Sequence, residues 1–251
     1  MNAGNTYASK QSFALLLVGE PKSGKTNVSF AFPDLWILDC DRNLKRSAHV
    51  VKDKVWYFDD PYVDDKGAEL PEHLRWNRAI DKIKLAAKAP EVKTIIIDGL
   101  GALTDMLVAH IIHDVATNDP KSNAGGKLRI QDYQPLSTLL TKLVMGLRNT
   151  NKLIVFTAHQ KVDKDAITER VRYELNMPGK LANSFGGLFS DVWATTAENA
   201  GLGKYKYLIH TRPSGLHMTL GTSLDLPGAP LDITDKLPKD IWALIGPKIV
   251  S

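Results

Sequence analysis

The sequence is poor in cysteine, in long apolar runs and in charge gathered into blocks. Its single cysteine, Cys40, excludes an intrachain disulfide and points to a reducing compartment, the cytoplasm. No stretch reaches the roughly 18 apolar residues needed to cross a bilayer. The opening MNAGNTYASKQS lacks the apolar centre of a secretion signal, so residues 1–12 are read as a flexible N-terminal segment and no membrane partner is expected. There is no internal repeat and no low-complexity block. The 32 lysines and arginines against 28 acidic residues give a net charge of +4, too even a balance to identify an anionic partner unaided. A hydrophobic content of 43% and a charged content of 24% are ordinary globular values and exclude wholesale disorder.

What is present is an alternation of two periods. FALLLV (13–18), LWILD (35–39), VWYF (55–58), KTIIID (93–98) and KLIVFTA (152–158) read as strands. Several lack polar alternation, as strands covered on both faces do. Between them, 71–89 predicts a helix with Pro71 in its first turn and Leu74, Ile80, Ile83 and Ala87 on its buried face; 101–116 and 133–149 predict two more. The pattern implies an α/β fold with a doubly wound, mostly parallel sheet. Shorter strands, DVWATTA and KYKYLIHTR, follow, and a proline-rich tail ends in a helix near 240–244.

The first strand runs into GEPKSGKT, which matches G-x-x-x-x-G-K-[ST] in full between a strand and a helix. Gly19 and Gly24 let the backbone bend so that successive N–H groups from Glu20, Pro21's neighbours Lys22 and Ser23, and on to Asn27 converge on phosphate oxygens. The following helix adds its positive end. Lys25 reaches the β- and γ-phosphates of a nucleotide, and Thr26 is placed to ligate Mg²⁺. Asp98, closing TIIID, is the second expected magnesium ligand. Asp39 and Asp41, two apart at the end of another strand, are candidates to orient water, and His159 or Gln160 ends the strand VFTA with a polar group that could sense a γ-phosphate. His110 and His113 stand three apart on a helix, but no third metal ligand adjoins them, and the reading is a solvated face. Cys40 reads as a small core residue. Arg212 could act on the γ-phosphate across a subunit boundary.

GEPKSGKT, WILDCD, TIIIDGLGALT and KLIVFTAHQ, in that order, resemble the RecA-type ATPase core, and within it the small bacteriophage RecA-like proteins that include single-strand annealing recombinases. The resemblance covers about residues 12–212 and implies a three-layer P-loop NTPase fold: core 13–212, with 213–251 as a C-terminal extension packed on it. It places Asp41 as the catalytic carboxylate, a Glu in RecA proper, and His159 as the sensor. It sets the strand of His159 between the phosphate-loop strand and the Asp98 strand. The cofactors it implies are ATP and Mg²⁺, and the activity is DNA-dependent ATP hydrolysis.

In the same family, loops after the Asp98 and His159 strands contact single-stranded DNA. The irregular stretches 117–132 and 160–185 fall there and offer Lys121, Lys127, Arg129, Lys161, Lys164, Arg170, Arg172 and Lys180 for phosphates, with Tyr173 or Phe185 for base stacking. Asp163, Asp165, Glu169 and Glu174 nearly cancel the charge of the second stretch. The expected function is ATP-driven single-strand annealing or recombination in phage DNA metabolism, in the host cytoplasm, by a ring or short filament, with a single-stranded-DNA-binding protein as an accessory partner. About twelve residues precede the first strand, so a full strand-exchange filament is not expected. The rivals are a small-molecule kinase, which would need an Arg-rich lid, and a non-catalytic, nucleotide-gated DNA-binding or helicase-accessory module.

Overall fold

A computed structural model describes residues 13–47, 56–119, 126–164, 171–178, 181–214, 217 and 219–250. Strand β1 (Ala14–Gly19) is buried at every position, and the two-residue period of a strand divides its side chains between two cores. Ala14, Leu16 and Val18 enter one apolar cluster, and Leu15 and Leu17 enter the other. β4 (Thr94–Asp98) behaves likewise, with Ile95 and Ile97 on the first side and Ile96 on the second. A strand apolar on both faces needs a layer on each side, and both layers are there.

The first layer is α3 (Glu72–Lys88), α4 (Leu100–Asn118) and α5 (Tyr133–Arg148). The second holds α1 (Lys25–Ser29) and α7 (Pro238–Ile249), with Phe30 and Phe32 between them and the sheet; short α2 (Leu44–Ser47) and α6 (Leu181–Ser184) complete the helices. Each fully buried Leu, Ile or Phe contributes on the order of 1.5–3 kcal/mol relative to exposure, so these two clusters carry the stability of the sheet. No helix among the described residues is long and apolar enough to cross a membrane.

The other strands are β2 (Leu35–Asp39), β3 (Trp56–Asp59), β5 (Leu153–Lys164), β6 (Val171–Leu175), β7 (Asp191–Gly201), β8 (Lys204–His210) and β9 (Leu231–Asp232). The sheet order is β3-β2-β4-β5-β1-β7-β8-β9, with β6 paired to β5 off this path. The strands β3 to β7 of that order are parallel; β8 and β9 join antiparallel. This is a three-layer, mostly parallel arrangement, and β5 lies between β1 and β4 as the resemblance implies.

Four expectations are corrected. Leu74 is 41% exposed; the buried face of α3 is Trp76, Ala79, Ile83 and Ala86, with Ile80 and Ala87 partly buried against the same cluster at its flank. Pro71 caps that helix from outside. β5 does not stop at 158 but continues six residues to Lys164 and pairs antiparallel with β6, the short hairpin for which the sequence of 160–185 leaves room. The last helix is longer than 240–244, beginning at Pro238, where proline costs no hydrogen bond. The stretch after 212 supplies an edge strand, β9, and the core helix α7, whose Ile241 and Ile245 are fully buried.

Candidate nucleotide site

The C-terminal ends of β1, β2, β4 and β5 open onto a cleft of about 640 Å³ lined by the phosphate loop, Asp41, Asp98, Thr157 and His159. The loop takes left-handed turns at Lys22 (φ 65°) and Gly24 (φ 95°), the alternation that points successive N–H groups into one hollow. A side chain at Gly24 would be strained there. The Ser23 hydroxyl hydrogen-bonds Thr195 Oγ1 of β7 at 2.7 Å, fixing the loop to the sheet. α1 has only five residues, so the anion-binding character predicted from the helix end resides in the loop's own N–H groups.

Lys25 is buried, and its ammonium donates to the carbonyls of Gly19 (3.0 Å) and Glu20 (2.8 Å). Desolvation lowers its pKa to about 8 against the opposing pull of Asp98, Asp41 and Glu20. Asp98 is buried as well. The Thr157 hydroxyl donates to its Oδ1 at 2.6 Å and accepts the Gly99 N–H at 2.9 Å. Burial raises the Asp98 pKa to about 6, although the Thr157 hydrogen bond and Lys25 act the other way. A buried ammonium and a buried carboxylate, neither fully compensated, are the charges that a phosphate and a cation would satisfy. Asn27 Oδ1, also in the cleft, is buried without a partner. The donor set fits a magnesium nucleotide: Thr26 and Asp98 as two oxygen ligands, with phosphate and water for the remainder. Among the described residues no cluster of three or more His, Cys, Asp or Glu forms a metal site of its own.

Asp41 and Asp39 part company. Asp39 is buried and accepts the N–H groups of Asn43 (3.1 Å) and Leu44 (3.2 Å), so it shapes the turn after β2 and does not face the cleft. Asp41 lines the cleft, with Oδ2 3.7 Å from His159 Nε2, and lies so close to Gly99 that a Cβ there would overlap its carboxylate. The His159/Gln160 ambiguity resolves by alternation. His159 pairs with Gly19 and faces the nucleotide cleft, while Gln160 faces a second cavity. Sequence reasoning missed Thr157, and it missed the far wall of the cleft, Tyr207, Ile233, Asp235 and Lys236, delivered by β8 and the turn after β9.

The remaining candidates fare unevenly. Arg212 is exposed and outside the cleft lining. Lys127 is exposed, and Arg129 is committed to Asp132 at 2.9 Å. Lys161 and Lys164 are exposed on β5, where Lys161 lies opposite Glu174, and Asp163 lies opposite Arg172. Lys121, Arg170 and Lys180 lie outside the described residues, as does the Arg172 side chain. Phe185 is 1% exposed and packs on Phe189, so it cannot stack on a base. Tyr173 is turned inward, its ring parallel to His217 at 4.6 Å. His113 stacks on His73 at 3.7 Å, and Cys40 is fully buried as expected.

A glycine loop cradling a buried lysine, beside an acidic strand end in a mostly parallel sheet, defines a P-loop nucleotide-binding domain. The chain belongs to the AAA domain family AAA_24, whose profile matches residues 12–219. A search of curated proteins finds no match. Among solved structures, a KaiC-like protein from the hyperthermophilic archaeon Pyrococcus horikoshii OT3 is similar at 13% identity and a TM-score of 0.37, covering 80% of this chain and 78% of that one. That likeness lies below the level that identifies a shared fold.

Proposed function

We propose that this AAA domain is an ATPase that binds ATP with Mg²⁺ and single-stranded DNA, hydrolyses ATP in response to the DNA, and promotes strand annealing or recombination in phage DNA metabolism. Lys25 exchanges its two loop carbonyls for the β- and γ-phosphate oxygens. Thr26 and Asp98 would hold a Mg²⁺, which would supply neutralisation of the phosphate charge when bound. Asp41 orients a water for in-line attack on the γ-phosphorus and takes its proton as the bond to the β-phosphate oxygen breaks. His159, on β5 with β4 between it and β2, lies 3.7 Å from Asp41 and serves as the γ-phosphate sensor. The apolar and hydroxyl-bearing wall of Tyr207 and Ile233 leaves room for the nucleoside.

The observation that carries the DNA reading is the meeting of the two irregular stretches. Ile130 in the first and Tyr133 just after it, with Pro178, Leu181 and Ser184 of the second, line one cleft of about 420 Å³. Ile130 is 93% exposed and Tyr133 is half exposed, an apolar and aromatic pair of the kind on which unpaired bases stack. These two replace Tyr173 and Phe185 as the stacking candidates. Lys127 stands nearby in sequence for the strand's phosphates.

The test is ATP hydrolysis by the purified chain with and without single-stranded DNA, at two salt concentrations. Salt-sensitive stimulation supports the reading. DNA binding with negligible turnover would favour the nucleotide-gated module, and phosphoryl transfer to a small acceptor the kinase. Absence of DNA binding at low salt would sink the DNA reading and leave the nucleotide site standing.

A further inference from the structure

Asp41 sits in a turn, 40–43, whose other members are tied down. The Cys40 N–H donates to the Asp98 carbonyl at 2.9 Å, and the Asp39 carboxylate accepts the N–H groups of Asn43 and Leu44. Arg42 takes φ 53°, left-handed backbone that a residue other than glycine keeps only where its surroundings hold it. The segment 60–70, between β3 and α3, does the holding. Arg42 Nη1 donates to Glu69 Oε1 at 2.6 Å, and Arg42 Nε lies 3.2 Å from Asp60 Oδ2. The Arg42 guanidinium also lies over the Tyr62 ring, 4.3 Å from its centre, and that of Arg75 lies over the same ring at 4.8 Å. The Tyr62 hydroxyl donates to the Cys40 carbonyl at 2.9 Å, which belongs to the peptide joining Cys40 to Asp41.

Tyr62 is itself fixed. Its N–H donates to Asp60 Oδ1 at 2.8 Å, its carbonyl accepts the Leu70 N–H at 2.7 Å, and its ring packs on the first apolar cluster. Arg75 closes the unit by donating to the Leu70 carbonyl at 3.0 Å. The ion pairs of Arg42 are exposed and contribute little to stability taken singly. Their effect is on geometry: with Cys40 and Arg42 both held, the Asp41 carboxylate is left over Gly99, facing the cleft. We propose that Tyr62 and Arg42 are positioning residues that fix Asp41 for attack on the γ-phosphorus. The inference rests on the reading of Asp41 as the group that orients water, and it does not require the DNA reading.

The experiment is steady-state ATP hydrolysis by the full chain, with and without single-stranded DNA, in wild-type and Asp41→Asn backgrounds. Tyr62→Phe keeps the ring beside both guanidiniums and loses only the hydroxyl; kcat is expected to fall about tenfold with KM for ATP little changed. Arg42→Gly accommodates the left-handed backbone and removes the guanidinium, and a similar fall in kcat is expected. In the Asp41→Asn background either substitution is expected to change kcat by less than about twofold, because the group being positioned is already gone. Urea denaturation runs beside these assays, since a contact that serves stability alone would lower the denaturation midpoint and leave the kcat of the folded chain intact. An undiminished kcat in Tyr62→Phe or Arg42→Gly, or an equal loss in the two backgrounds, overturns the positioning role. An Asp41→Asn chain with wild-type kcat overturns the catalytic reading of Asp41 beneath it, and a wild type without turnover overturns the ATPase reading.

Discussion

Replacing Lys25 with Met tests whether the phosphate loop stores an unfavourable charge that nucleotide relieves. In the nucleotide-free chain, burial lowers the Lys25 pKa from 10.5 to about 8. The unfolded chain then binds more protons than the folded one between those values, so this group costs stability below pH 8, and the cost disappears as pH rises towards 10.5. A displacement of that size corresponds to about 3 kcal/mol at 1.36 kcal/mol per pH unit. Met removes the charge, and the hydrogen bonds to Gly19 and Glu20 with it, a loss that does not depend on pH. The stability difference, Lys25→Met minus wild type, should therefore fall by about 3 kcal/mol between pH 7 and pH 10.5, whatever its absolute value. Urea denaturation in EDTA across that range measures it. Adding ATP and Mg²⁺ at pH 7.5 should stabilise the wild type alone, since only it binds. A pH-independent difference, or one that grows with pH, would refute the account of a desolvated ammonium.

Three further outcomes follow from single contacts. Thr157→Val removes the hydroxyl that donates to Asp98 and leaves the buried Gly99 N–H unpaired, so the chain should lose about 1–3 kcal/mol of stability in a denaturant titration. The same variant should need several-fold more Mg²⁺ for half-maximal nucleotide binding, and Thr157→Ser should restore it. Gly99→Ala puts a methyl on the Asp41 carboxylate at a residue with φ 104°, so turnover should fall at least tenfold while a fluorescent ADP analogue still binds. Ile130→Ser with Tyr133→Ala should weaken single-stranded DNA binding by tenfold or more at fixed salt with little change in the salt slope, whereas Lys127→Ala should lower that slope by about one.

The parts of the site visible in the sequence are those whose chemistry is tied to a local period. Gly19 to Thr26 and Asp98 follow buried strands directly, so motif and strand end fix them together. The choice between His159 and Gln160 needed the register of β5 against β1, which a single strand does not contain. Leu74 is a different kind of miss: six residues before Ile80 and nine before Ile83, it stands about 120° and about 180° around the helix from them, so the period itself sets it off the face that Trp76, Ala79 and Ile83 share. Phe185 is buried while Ile130 is exposed, because residue type says little about which way a loop side chain turns. Tyr207 and Ile233 reach the cleft through the order β1-β7-β8-β9, a long-range arrangement with no short motif.

Asp41 is where the catalytic and electrostatic readings of the cleft diverge, and one substitution separates them. Its carboxylate raises the Lys25 pKa and the Asp98 pKa alike, and it stands 3.7 Å from His159. If it orients water, Asp41→Asn keeps the shape and loses the proton acceptor, so kcat should drop by a factor of about 100 or more, within the range for general-base catalysis, while KM for ATP changes little. If it merely balances Lys25, the same change leaves the ammonium without one of its acidic neighbours. Lysine is then more easily neutralised, and the loss appears as a higher KM, greatest above pH 8, with kcat retained. The pH dependence is the sharper half of the comparison, because a missing base lowers turnover at every pH whereas a neutralised lysine recovers as pH falls. A shorter side chain than Glu does not by itself count against catalysis here, since the absent Cβ of Gly99 lets Asp41 lie directly over the turn that follows Asp98, one residue beyond the proposed magnesium ligand.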